Sequence, residues 1–122
     1  MEKSDTGRLG ELAAAKLLRH EGLEILAKNY RTRFGEIDIV ARDDRFIVFT
    51  EVKTRVQGSM LLPREAVTAS KQRRIILAAE EYLTRGGAGL QPRFDVVEVT
   101  TVPGKRFHVL QTNHIVNAFG CR

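Results

Sequence analysis

Residues 35–55 read GEIDIVARDDRFIVFTEVKTR and decide the fold of this chain. Two runs in it are rich in β-branched and aromatic residues, as strands are, and the turn-forming residues 43–45 lie between them. The stretch is therefore predicted to form a β-hairpin. With the hairpin centred on that turn, Asp38 is predicted to lie directly opposite Glu51.

The predicted hairpin brings three charged side chains together. Glu51 and Lys53 are two positions apart, so they leave the same face of one strand, and Asp38 faces them from the other. Like charges opposite each other destabilise a sheet, and a bound divalent cation would remove that repulsion because hard cations prefer carboxylate oxygens. With a lysine to hold or activate a water, this set predicts metal-assisted hydrolysis of a phosphodiester.

The remaining hairpin positions favour a buried site over an ordinary exposed salt bridge. The face with these charges is otherwise apolar, with Val40, Ile47 and Phe49. The opposite face is predicted to be apolar throughout, with Ile37, Ile39, Phe46, Val48 and Val52. Such a strand pair is expected between two helical layers, where charges are costly and more often functional. A structural salt bridge is the alternative, and a carboxylate pair for glycoside hydrolysis is weaker because the chain has no tryptophan.

The composition predicts one basic domain that spans residues 1–122. A net charge of +5 favours acidic partners, nucleic acid first among them. The single cysteine, Cys121, cannot form an internal disulfide, as is usual for a reducing compartment. No apolar run reaches the roughly 20 residues that a bilayer requires, and the N-terminus is polar. We therefore expect a cytoplasmic protein.

Hydrophobic periodicity predicts the other elements. Helices are expected over 6–20, 68–85 and 114–119, and further strands over 23–31, 93–100 and 106–110. Residues 56–63 are expected to form a loop that could close over a substrate, followed by a helical turn over 63–67. The order of elements predicts an α/β fold, with a mixed five-stranded sheet flanked by helices and a right-handed crossover through the long helix.

Side chains are assigned to faces by the same periodicity. The first helix is predicted to bury Leu9, Leu12, Ala13 and Leu17, which leaves Glu11 beside this stripe as an ordinary solvated carboxylate. The first strand is predicted to place Leu23, Ile25, Ala27 and Asn29 on one face, and the long helix to bury Ile75, Ile76, Ala79, Tyr82 and Leu83.

Basic residues flank the hairpin on both sides in the sequence. Arg31 and Arg33 precede it, Arg55 ends it, and the start of the long helix carries Lys71, Arg73 and Arg74. Beside a cation site they are candidate phosphate ligands, and the positive N-terminus of a helix would assist the last three. A solvated helix face is the alternative for these three.

Asp38 followed by Glu51-Val52-Lys53 resembles the PD-(D/E)xK nuclease signature, although Ile37 stands where the nominal motif has proline. The wider string resembles the YraN family of predicted endonucleases along nearly the full chain. It comprises residues 7–11, Gly35-Glu36-Ile37-Asp38, residues 49–55, Lys71-Gln72-Arg73-Arg74 and Arg93-Phe94-Asp95.

This resemblance implies a restriction-endonuclease-like fold of order αβββαββ and a site similar to that of archaeal Holliday junction resolvases. It implies Asp38, Glu51 and the main-chain carbonyl of Val52 as ligands of Mg²⁺ or Mn²⁺. By the same resemblance, Lys53 would orient or deprotonate the attacking water, and Glu11 would complete the acidic cluster as a catalytic or metal residue.

Three functions are compatible with these observations. The first is a metal-dependent endonuclease acting on DNA, which is favoured over RNA, with branched or structured DNA as a candidate substrate. The second is a nucleic-acid-binding module that keeps a nuclease fold with weak or no turnover. The third is an adaptor whose acidic cluster merely binds metal. A homodimer with two sites remains open, and no membrane association is expected.

Overall fold

The computed structural model describes residues 5–58, 67–86, 89–104 and 106–120. Its elements are α1 (Asp5–His20), β1 (Glu24–Arg31), β2 (Glu36–Arg42), β3 (Phe46–Val56), α2 (Ala69–Leu83), β4 (Gln91–Thr101) and β5 (Val109–Phe119). The strands form one sheet in chain order, antiparallel except between β3 and β4, which run parallel on either side of the α2 connection. The mixed five-stranded sheet and the order αβββαββ are therefore confirmed. The handedness of the α2 connection stays a prediction.

The central hairpin has the register that its turn predicts. At the turn, the carboxylate of Asp43 accepts the N–H groups of Phe46 at 2.7 Å and Arg45 at 2.8 Å. These bonds add to the main-chain hydrogen bonds of the hairpin. These two bonds hold the pKa of Asp43 below its usual value. The facing residues of β2 and β3 are Ile39–Thr50, Val40–Phe49, Ala41–Val48 and Arg42–Ile47.

Helices cover both faces of this hairpin, as predicted. The α2 side buries Val40, Ile47 and Phe49 against Ile75, Ala78 and Ala79. The α1 side buries Ile39, Ala41 and Val48 against Ala14, Ala15 and Leu18. The assignment of Ile37 was wrong, because it packs on the α2 side. Ile37 lies beyond the last facing pair of β2 and β3, where strict alternation no longer applies.

The predicted buried stripe of α1 was wrong at its first turns. Leu9 and Leu12 are 39% and 55% exposed, whereas Glu11 is 5% exposed. Ala14, Ala15 and Leu18 continue the buried face at helical spacing from Glu11. Small residues occupy this face because α1 lies close to the sheet. A Cβ added to Gly10 would lie 2.0 Å from Oγ1 of Thr54.

The C-terminus of α1 is closed as its sequence predicts. Gly22 has a φ of 91°, a left-handed value that favours glycine. Its N–H donates to the carbonyl of Arg19, and the N–H of Leu23 donates to that of Leu18. This pair of bonds is a Schellman motif, which turns the chain directly into β1.

The predicted alternation of β1 was also wrong. Ile25 packs on the α1 side and Ala27 on the α2 side of the sheet. A register shift between these two residues explains the change of face, because one extra residue in a strand reverses its alternation.

The predicted helix over 114–119 is absent, because these residues belong to β5, which pairs with β4 from Val109 to Ile115 and again at Phe119. The predicted strand over 106–110 correspondingly starts only at Val109. A short apolar run does not distinguish a strand from a helix, and pairing with β4 decides it here. Asn117, with a φ of 54°, interrupts the regular strand.

The long helix matches its prediction. Thr68 caps α2 by accepting the N–H of Lys71 at 3.2 Å, and Ile75, Ala78 and Ala79 are buried. The predicted turn over 63–67, and the part of the predicted loop from 59 onward, lie outside the described residues, apart from Val67. Within the ranges described, no helix is long and apolar enough to cross a membrane.

Candidate active site

The site begins where β2 and β3 stop pairing. Their last facing pair is Ile39 and Thr50. One residue further along, Oδ2 of Asp38 accepts the main-chain N–H of Val52 at 2.8 Å. A side-chain carboxylate thus takes the place that a strand carbonyl would occupy, and it is fixed at the open end of the strand pair.

Three carboxylates meet at this open end. Glu11 from α1 and Glu36 and Asp38 from β2 each place one oxygen within 4.8 Å of the other two. Glu11 and Asp38 are each only 5% exposed. Buried carboxylates at this separation repel one another, and hard divalent cations take such oxygens as ligands. We call Glu11, Glu36 and Asp38 the acidic cluster.

Glu36 was not predicted as a site residue, although the sequence carries a signal for it. It lies two positions before Asp38 on the same strand, and residues two apart share a face. Glu36 also pairs with Arg31, whose Nε lies 2.9 Å from its carboxylate. Glu11, in contrast, was predicted to join the site only through the family resemblance, and the structure places it there.

Glu51 lies beside the acidic cluster and is paired with lysines. Its Oε1 is 3.1 Å from Nζ of Lys53 and 3.8 Å from Nζ of Lys71. Burial, followed by the negative charge of Asp38, raises the pKa of Glu51 to about 7, and the two lysines only partly oppose this. Additional positive charge nearby would therefore favour the ionised form of Glu51 at neutral pH.

The two lysines also influence each other. Burial acts to lower the pKa of Lys53, but its contacts with Lys71 and Glu51 outweigh burial and raise it. The hydrogen bond with Lys53, followed by burial, lowers the pKa of Lys71. Lys53 is thus the more firmly charged member of the pair.

A cavity of about 270 Å³ opens over this group on the α2 side of the sheet. It is lined by Gly35, Glu36, Asp38, Glu51, Lys71, Arg74 and Ile75. The larger groove of about 750 Å³ lies elsewhere, between α1 and β5, and contains none of these residues. The 270 Å³ cavity therefore combines three carboxylates with cationic side chains.

The predicted phosphate ligands are not all in the same place. Lys71 and Arg74 line the cavity, and Arg31 reaches the acidic cluster through Glu36. Arg33 is exposed and stacks on the ring of Phe34 at 4.9 Å. Arg55 is half-buried on β3 and Arg73 is exposed on α2, and both stay predicted phosphate ligands. The main-chain carbonyl of Val52 stays a predicted metal ligand.

A second buried ionic group, which the sequence did not reveal, lies between β4 and β5. Asp95 is fully buried and accepts hydrogen bonds from Arg93 at 2.9 Å, from the N–H of Asn117 at 2.9 Å, and from Nε2 of His114 at 2.6 Å. The other ring nitrogen of His114 pairs with Glu21, just past α1. We call Asp95, His114 and Glu21 the histidine bridge.

Comparison with known proteins gives a consistent result. Residues 10–99 match the model of a family described as "Uncharacterised protein family UPF0102". A UPF0102 protein of Caldanaerobacter subterraneus is 42% identical over 120 residues, which cover 98% of each chain. Others are 46% identical in Syntrophotalea carbinolica, covering 97% of this chain and 94% of the relative, and 49% in Symbiobacterium thermophilum, covering 93% and 94%.

Proposed function

We propose a function for a chain that belongs to the family UPF0102: metal-dependent hydrolysis of phosphodiester bonds in DNA, as an endonuclease. Family membership is what the resemblance to YraN predicted, and the activity is our proposal. The observation that carries it is the acidic cluster, buried at the open end of the β2–β3 pair beside the Glu51–Lys53 pair. Branched or structured DNA is the substrate class that we put first.

The donor set fits a hard divalent cation. Carboxylate oxygens from Glu11, Glu36 and Asp38 lie within 4.8 Å of one another, and a cation bound there would relieve the repulsion from Asp38 that helps to raise the pKa of Glu51. With the predicted carbonyl of Val52, these residues would hold Mg²⁺ or Mn²⁺. Such an ion would lower the pKa of a water molecule and neutralise negative charge at the phosphate.

The side chains around this donor set have separate tasks. Glu51 holds the ammonium group of Lys53 at 3.1 Å, so Lys53 can orient a water or donate to a phosphate oxygen. Lys71 and Arg74 on the cavity wall offer positive charge to the DNA backbone. Asp38, fixed by the N–H of Val52, keeps its carboxylate in place before any ligand arrives.

One observation favours the alternative of a nucleic-acid-binding module without useful turnover. Glu36 is paired with Arg31, and Glu51 with Lys53 and Lys71. These pairs neutralise part of the acidic charge with the protein's own cations, so the site could be stable without metal. DNA binding without cleavage would then be the function.

Incubation of the purified protein with single-stranded, duplex, flapped and four-way DNA, and with RNA, in Mg²⁺ or Mn²⁺ tests the proposal. We expect cleavage that falls by about 10²-fold or more in Asp38→Asn and in Lys53→Ala. The control is Asp44→Asn, which changes an exposed turn carboxylate and should cleave normally. Unchanged cleavage in Asp38→Asn would contradict the mechanism, and salt-sensitive binding without cleavage would favour the binding module.

A further inference from the structure

We propose that a second cavity, on the α1 side of the acidic cluster, binds a backbone phosphate adjacent to the scissile one, with Arg8 and Lys28 as its cationic contacts. This inference rests on the proposed function, because it names how the same site holds its strand. Neither residue was among the candidates that the sequence suggested.

The position of this cavity follows from the residues around it. It has a volume of about 190 Å³ and is lined by Arg8, Glu11 and Leu12 from α1 and by Lys28 and Asn29 from β1. Glu11 belongs both to this wall and to the acidic cluster. Glu11 therefore connects the second cavity to the acidic cluster, whose other two members, Glu36 and Asp38, line the cavity on the α2 side.

Electrostatics requires cations on both sides of such a cluster. A strand whose scissile phosphate lies at the acidic cluster must place a phosphate before and after it, and the carboxylates repel both. On the α2 side, Lys71 and Arg74 supply the compensating charge. On the α1 side, Arg8 and Lys28 are the basic residues in the wall of the adjoining cavity.

The surface of the second cavity suits a sugar–phosphate backbone. Arg8 and Lys28 are both exposed residues in the wall of this cavity. Leu12, on the same wall, is 55% exposed and offers apolar surface for a sugar ring. Asn29 has a left-handed φ of 53°, a conformation that non-glycine residues adopt at turns and at functional sites.

DNA binding measured without cleavage tests this inference. The Lys53→Ala protein, which keeps the proposed metal ligands, is titrated in Mg²⁺ against fluorescently labelled DNA at several salt concentrations. Adding Arg8→Ala with Lys28→Ala should weaken binding roughly tenfold and reduce the salt slope by about one per lost phosphate contact. The control pair, Lys16→Ala with Arg19→Ala, removes the same charge from the separate α1–β5 groove and should leave the slope unchanged.

A chemical probe identifies the phosphate itself. Methylphosphonates, which carry no charge, are placed one at a time around the cleavage point of the DNA. One position next to it should weaken binding by the protein with intact Arg8 and Lys28, and have no further effect on the doubly substituted protein. Arg8→Lys with Lys28→Arg, which keeps the charge, should retain sensitivity to that position and shows that loss of folding is not the cause.

The outcomes separate this inference from the proposed function. Cleavage by the unmodified protein, with equal salt slopes in the two double variants, would overturn the inference and leave the nuclease proposal standing. Absence of cleavage, with selective loss of binding in Arg8→Ala and Lys28→Ala, would support the phosphate site and overturn the enzyme. Absence of binding to every nucleic acid would overturn both.

Discussion

Gly10 shapes the candidate site although it carries no side chain. An added Cβ would lie 2.0 Å from Oγ1 of Thr54, so only glycine lets α1 lie this close to β3. The next residue along the helix is Glu11, which reaches the acidic cluster from this position. The close approach of helix and sheet is thus a condition for the acidic cluster as well as for the core.

Gly10→Ala should therefore destabilise the fold by about 1–3 kcal/mol, the usual cost of overpacking, and should weaken metal binding by displacing Glu11. Urea denaturation measures the first effect. Thr54→Ala should recover part of the stability, because the remaining Cβ of Thr54 would lie 3.3 Å away. Gly86→Ala, where nothing lies within 4 Å of an added Cβ, is the control. Equal stability of both glycine variants would contradict this account.

Sequence reasoning identified some site residues and missed others for definite physical reasons. Asp38, Glu51 and Lys53 were found because hairpin register is local and the turn fixes it. Glu11 was left outside the predicted stripe of α1. The stripe was assigned to Leu12 because leucine is more hydrophobic than the small residues that pack on the sheet. Glu36 was overlooked although period-2 alternation was available. Arg8 and Lys28 could not be paired from sequence, since packing of α1 on β1 brings them together.

β5 is connected to α1 and β4 through the histidine bridge. The His114 side chain is 7% exposed and lies between Asp95 of β4 and Glu21, which follows α1. Burial acts to lower the pKa of His114, but its hydrogen bonds to Asp95 and Glu21 outweigh burial and raise it. In Asp95, burial is likewise outweighed, and bonds from His114, Arg93 and Asn117 lower the pKa. A charged imidazolium thus holds three segments together.

His114→Gln should reduce the free energy of unfolding by about 1.5–3 kcal/mol, as for loss of hydrogen bonds to charged groups. Since the folded pKa of His114 is raised, its contribution is fully present below its usual value of 6.5 and disappears as pH rises through the raised pKa. The contribution of Asp95 is present above its usual 3.8 and is lost as pH falls through its lowered pKa. The variant should therefore lose most stability between about pH 4 and 6.5.

Urea denaturation of His114→Gln across this pH range, compared with His108→Gln, measures the effect. His108 is exposed, and its main-chain carbonyl accepts the N–H of Val102. A constant difference from pH 5 to pH 9 would contradict a role for the imidazolium.

Elements differ in how far local sequence determines them. The β2–β3 hairpin and α2 were predicted closely because a turn and an N-cap define them. The strand β5 was mistaken in part for a helix because its conformation depends on pairing with β4, which begins 18 residues earlier in the chain. The role of Asp95 could not be predicted from the sequence, because it depends on the pairing of β4 with the segment that carries His114.

The proposed metal ligands come from elements that must dock on one another. Glu11 comes with α1 from one side of the sheet, whereas Glu36 and Asp38 come with β2 and Glu51 with β3. An unfolded chain does not hold these oxygens together, so a cation bound by the folded state must stabilise the fold.

Mg²⁺ or Mn²⁺ should accordingly raise the melting temperature of the protein. At a concentration of 100 times the dissociation constant, stabilisation reaches about 2.7 kcal/mol, which is several degrees for a domain of this size. The shift, measured by scanning calorimetry, should vanish in Asp38→Asn and persist in Asp44→Asn. A shift of equal size in both variants would place the bound ion elsewhere.

The bond from the N–H of Val52 to Asp38 has a consequence for how freely the sequence can vary. In a sheet, most main-chain groups satisfy one another whatever side chains the gene encodes. At this point, one backbone donor depends on one encoded carboxylate. Alanine at position 38 would leave a buried N–H without its acceptor, at a cost of about 1–3 kcal/mol, whereas asparagine keeps an oxygen there. Selection for folding and selection for chemistry therefore act on the same codon, and only an isosteric change separates them.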